Sequence, residues 1–81
     1  MIMYSMSEEN IINKARGIAR TIFQKNNYYW PENYEDGNSF KIQEHGVWIL
    51  DSAGDEDFFI RKDWITEKED WRSVLFKREM L

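Results

Sequence analysis

Apolar residues recur at Ile11, Ile12, Ala15, Ile18, Ala19, Ile22 and Phe23. Steps of three and four place them on one side of a helix for nearly four turns. Asn13, Lys14, Arg16, Arg20, Thr21 and Lys25 take the other side. Ser7 is a good N-cap, and Glu8 and Glu9 fall in the first turn, where the helix dipole favours acids. Asn26–Asn27 is a natural stop. The pattern predicts a helix from Glu8 to Lys25, and small Ala15 and Ala19 let it lie close to a sheet. Its four bases make a solvated face, too thin a footprint for a nucleic-acid groove.

The period then drops to two. Phe40 and Ile42 alternate with Lys41 and Gln43, His45-Gly46 interrupts, and Val47-Trp48-Ile49-Leu50 resumes. With His45-Gly46 as a two-residue turn and Gly46 at positive φ, Gln43 faces Trp48, Ile42 faces Ile49 and Lys41 faces Leu50. Cross-strand partners share a face. Phe40, Ile42, Val47 and Ile49 therefore form a core face, while Lys41, Gln43, Trp48 and Leu50 form a second, half-apolar one. After the acidic connection Ser52–Asp57, Phe58-Phe59-Ile60-Arg61 reads as a third strand. A four-residue loop, 53–56, puts Phe58 and Ile60 on the core face and sets Phe59 and Arg61 beside Leu50 and Trp48, with Arg61 in reach of a cation–π contact. A five-residue loop inverts the strand.

Met1–Met6 reads as a loose leader. Pro31 forces Trp30 out of helical geometry, so Tyr28, Tyr29 and Trp30 either cover the end of the helix or form an exposed aromatic patch. Residues 31–38 read as a polar surface loop with a turn at Asp36-Gly37. Thr66-Glu67-Lys68-Glu69 matches a capping box and predicts a helix from Glu67 to about Arg78. The competing reading is a fourth strand over Arg72–Lys77. Trp64 and Ile65 are expected in the core. The fold class is α+β: an N-terminal helix, a three-stranded antiparallel β-meander and a C-terminal helix, in one small domain covering 1–81.

Charge sharpens this. The net charge is −4, but residues 32–59 carry eight acids against Lys41 alone, while the segments before and after are slightly basic. Such a field repels nucleic acid and attracts a basic protein surface. There is no Cys, so no disulfide or thiolate site forms. No apolar run approaches a membrane span, and Met1–Asn10 lacks the basic start and apolar core of a signal peptide; a cytoplasmic protein is expected. His45 sits at a hairpin tip open to water, a poor setting for a catalytic triad. One His without Cys cannot build a zinc site, and Asp51–Asp57 lacks the ligand spacing of a calcium loop. No glycine-rich phosphate loop occurs. The expectation is a protein without catalytic residues, metal or cofactor.

What remains is binding. Thirteen aromatic residues in 81 exceed what one small core needs, and aromatic anchors ringed by charge describe interface hot spots. The partner-binding set is Trp48, Leu50, Phe59 and Arg61 on the sheet, with Asp55, Glu56 and Asp57 steering a basic protein partner, a nucleic-acid-handling one included. Tyr28, Tyr29 and Trp30 are the alternative patch, for a small molecule or nucleotide; a homodimer through the sheet is the other alternative. In size, acidity and layout the chain resembles phage-encoded blockers of host defence and toxin-neutralising immunity proteins, without a shared motif. That resemblance implies an inhibitor that occludes its target.

Overall fold

A computed structural model of the protein describes residues 4–72. Helix α1 spans Glu8–Lys25, and β1 (Phe40–Gln43), β2 (Gly46–Leu50) and β3 (Glu56–Arg61) form one antiparallel sheet in the order β1-β2-β3. A one-turn helix, α2 (Lys62–Ile65), follows. The α+β layout is the one expected. Ser7 caps α1 by accepting from Asn10 N, and Ile11, Ala15, Ile18, Ala19, Ile22 and Phe23 are buried. They cluster with Val47, Ile49, Ile60 and Ile65, so both helices join the core on one side of the sheet. Ala15 and Ala19 have no exposed surface, which is how α1 comes so close. Each large side chain in this cluster contributes about 1.5–3 kcal/mol by burial.

The stop at Asn26–Asn27 is a Schellman motif. Asn27 takes φ 56°, Tyr28 N donates to Phe23 O at 2.9 Å and Asn27 N to Gln24 O at 3.3 Å. The accompanying apolar contact is Tyr28 edge-on to Phe23, with centroids 5.5 Å apart.

The hairpin registers differ from expectation by two residues. Gln43 pairs with Gly46, Lys41 with Trp48 and Phe40 with Ile49, so Glu44-His45 makes the turn and Gly46 belongs to β2. Gly46 has no positive φ. A glycine stands there because a Cβ would lie 2.3 Å from Ile60 O and 2.5 Å from the Phe59 ring. In β3, Trp48 pairs with Phe59 and Gly46 with Arg61, with a bulge near Asp57 that leaves Leu50 opposite Glu56. A two-residue slip preserves faces, so Phe58 and Ile60 still turn to the core. Arg61, however, is not beside Trp48; its guanidinium lies 5.7 Å from the Trp64 ring centroid instead.

Three further expectations are corrected. The leader is held at Tyr4 and Met6, which pack on the core; Tyr4 Oη donates to Gln43 O at 3.0 Å. Residues 31–38 lie largely at the surface as expected, but they are folded into two 3₁₀ turns, Glu32–Glu35 and Gly37–Ser39, the first of which buries Tyr34 completely. Thr66 is the C-cap of α2, not a helix start. Lys68 N donates to Asp63 O at 2.9 Å and Glu67 takes φ 63°, a second Schellman ending. Helical geometry resumes at Trp71-Arg72, where Asp70 Oδ1 accepts from Arg72 N at 2.9 Å. The rest of the helix expected to Arg78, and of the alternative strand to Lys77, lies outside the described residues.

Glutamate in left-handed backbone costs about 1–2 kcal/mol. Its ion pair with Lys14, at 2.7 Å, is exposed and offsets little of that. Glu67→Gly is therefore expected to raise stability by about 0.5–1 kcal/mol, or roughly 4 °C in thermal unfolding. An unchanged or lower Tm overturns that reading.

Candidate functional site

The outer sheet face is built by alternation. With Phe40, Ile42, Val47, Ile49, Phe58 and Ile60 turned to the helices, Lys41, Trp48, Leu50, Glu56, Phe59 and Arg61 turn away from them. Trp48 and Phe59, directly opposed, have ring centroids 5.0 Å apart at 53°. The Phe59 ring lies diagonally over Gly46, the one position in β2 whose lack of a side chain leaves it room. Trp48, Leu50 and Phe59 are half-buried, the two rings in contact with one another, and take no part in the core cluster.

Charges frame the rings. Lys41 reaches across β2 to Glu56 Oε2 at 3.1 Å, and Arg61 is held by Asp63 at 3.3 Å and Glu69 at 2.6 Å. Both cations of the face are thus matched, and acids outnumber them around its rim. The expected steering triad divides. Glu56 serves Lys41, and Asp57 accepts from Tyr34 Oη at 2.6 Å. Asp55 has no side-chain partner among the described residues and stands in a loop organised by Asp51, whose Oδ1 accepts from Ala53 N and Asp55 N, both at 2.9 Å. Gly54, at φ 88°, closes that loop.

The other aromatic candidates also divide. Tyr28 and Tyr29 are 56% and 84% exposed. Trp30 packs against the core, edge-on to Phe23 and Tyr34 with centroids 5.4 and 5.1 Å away. Its Nε1 donates to Glu35 Oε2 at 2.6 Å, and Arg20 stacks over its ring at 5.0 Å while binding the same carboxylate. The Trp30 N–H first, and Arg20 after it, hold the Glu35 carboxyl below its ordinary range. Stability from that link is present above the carboxylate range and lost as pH falls through it.

Several residues that organise the site carried a weak signal. Phe23 is a hub, with Tyr28, Trp30, Tyr34 and Phe58 all edge-on at 5.1–5.5 Å. Arg16, on the supposedly solvated helix face, donates to Tyr34 O at 2.8 Å and Glu35 O at 3.2 Å and stacks on Phe40. The sequence leaves Tyr34 unmarked within a polar loop and reads Gly46 as a turn residue; the signals that could have found them are a single tyrosine within that loop and a glycine that continues the alternation of its strand.

Among the described residues no group of three or more His, Asp or Glu side chains is placed to hold a metal ion, and no helix is long and apolar enough to cross a membrane. No family model matches the chain, and no curated protein or solved structure does either.

Proposed function

We propose that this chain is a non-enzymatic binding module of the inhibitor or immunity type, which occludes a basic surface on a macromolecular target through its outer sheet face. The observation that carries the reading is the Trp48–Phe59 pair, two large rings held in contact on the face turned away from the core. Interlocked rings lose little conformational freedom on binding, which makes them efficient anchors. The rim cations are already matched, so the field over the rings is acidic, and residues 32–59 reinforce it. A target's Lys or Arg can stack on Trp48 while the acids draw it in. Where the target handles nucleic acid, those acids stand in for phosphates.

The test uses three immobilised baits, wild type, Trp48→Ala and Tyr29→Ala, against lysate of the native host, followed by kinetics on whatever the wild type retains. Trp48→Ala is expected to weaken that complex by about 30-fold or more, mainly through faster dissociation. Asp55→Lys is expected to slow association and flatten its salt dependence. A partner that Trp48→Ala retains and Tyr29→Ala loses moves the site to the exposed tyrosines and ends this reading.

A further inference from the structure

The middle strand, β2, carries no polar side chain on either face of the sheet. Val47 and Ile49 turn to the core, and Gly46, Trp48 and Leu50 turn to the outer face. A strand apolar on both sides is the mark of a middle layer, covered above and below. Here α1 and α2 cover one side only. The flanking strands set polar residues on the outer face, Lys41 and Gln43 on β1 and Glu56 and Arg61 on β3. Phe59, between the last two, leans off β3 over Gly46. The apolar surface is therefore a single stripe along β2 with a polar rail on each side. Strand spacing sets the rails about 10 Å apart, and Gly46 to Leu50 spans about 14 Å. One helix is about 10 Å across and covers that length in roughly nine residues.

We propose that the occupant of this stripe is a basic amphipathic helix of the target, lying along β2 with its apolar side on Trp48, Phe59 and Leu50. This rests on the outer face being the face that binds, and names what it binds. A sheet face offers side chains but no free backbone donors or acceptors, so a segment laid on it must satisfy its own. A helix does so internally, whereas a lone extended segment does not. Charge sets the sign of the helix. Beyond the Leu50 end stands the Asp51–Asp55 loop, where Asp55 has no side-chain partner among the described residues. At the opposite end Asp63 and Glu69 together face the single cation Arg61, and Glu44 is exposed in the hairpin turn. Lys41 is engaged by Glu56. Both ends of the stripe therefore favour Lys or Arg, and bases about three turns apart on one helix reach both at once.

Titration of the isotope-labelled full chain with three synthetic peptides of about 18 residues, followed by NMR, tests it. The first has leucines at steps of three and four, arginines on both flanks and a side-chain staple that holds it helical. The second lacks the staple and has two central residues replaced by proline, which breaks the helix. The third keeps the staple and carries glutamate for arginine. The first is expected to bind with a Kd below about 100 μM and to shift the Trp48 indole N–H and the Phe59 amide; the other two are expected to bind at least about tenfold more weakly. Trp48→Ala and Leu50→Ser, with circular dichroism confirming their folds, are each expected to weaken the first peptide about tenfold or more. A proline peptide that binds the same signals as tightly overturns the helical occupant and leaves the outer face standing as the site. A stapled peptide that does not bind does the same, since the Trp48→Ala and Tyr29→Ala baits test the face independently. Shifts that fall elsewhere, or binding that both variants leave unaltered, overturn the face as well. Outer-face signals that move with protein concentration alone make a second copy the occupant and overturn the proposal.

Discussion

Tyr34→Ala is expected to remove about 3–5 kcal/mol of stability. A chain of this size has roughly 4–12 kcal/mol in total, so the variant loses a large share of it. The ring is fully buried and sits edge-on between Phe23 and Trp30, while its hydroxyl donates to Asp57 at the bulge of β3. One side chain therefore ties the 3₁₀ turns to the end of α1 and to the strand that carries Phe59. Tyr34→Phe separates the two contributions. It keeps the ring and forfeits a hydrogen bond to a charged acceptor, for about 1.5–3 kcal/mol. Chemical denaturation of the three proteins measures both steps; a Tyr34→Ala loss below about 1 kcal/mol contradicts the role assigned to the ring.

The same residue predicts a pH dependence. Burial, then the hydrogen bond from Tyr34 to Asp57, then the charges of Asp57 and Asp51 push its phenol above the ordinary value of 10.0. Below that value the phenol is protonated in both folded and unfolded chains, and its contribution is complete. Above it the unfolded chain ionises and the folded one does not, so stability falls by about 1.4 kcal/mol per pH unit. Tyr4, shifted the same way by burial, adds to the decline. Tyr34→Phe is expected to show a shallower alkaline loss than wild type. Equal slopes contradict the assignment.

Local patterning made much of this fold legible. The helix bounds at Ser7 and Lys25 followed from a capping residue and a 3.6-residue period, and the two sheet faces from strict alternation. Even a two-residue register error left the faces intact, because side-chain direction repeats every two residues. What did not show were contacts between segments distant in the chain. Arg16 and Arg20 read as solvated bases because nothing local reveals that the backbone of Tyr34 and the carboxylate of Glu35 come to meet them. The acids of the middle third read as a field, yet Glu35, Asp51, Glu56 and Asp57 each hold a specific partner. Of the candidate site, the Trp48–Phe59–Leu50 face was visible in the alternation, whereas the division of the acidic triad depended on the bulge, which no residue pattern announced.

Gly46→Ala is expected to cost about 3 kcal/mol, near the top of the range for overpacking. Gly46 is not in left-handed backbone, so the cost is one of contact. A methyl there would sit 2.3 Å from Ile60 O and 2.5 Å from Phe59 Cζ, and relief means spreading β2 from β3 or ejecting the ring. Two comparisons separate contact from conformation. Gly46→Asn, which tolerates positive φ far better than alanine, is expected to be no less damaging than Gly46→Ala; a milder asparagine variant points to a turn role instead. In a Phe59→Ala background the added cost of Gly46→Ala is expected to shrink without vanishing, since the clash with the Ile60 carbonyl remains while the ring is gone. Because the displaced ring is the one that holds Trp48, Gly46→Ala should also shift Trp48 emission and weaken whatever the outer face binds. The empty position in β2 is thus what allows two aromatic side chains to lie interlocked on an open sheet.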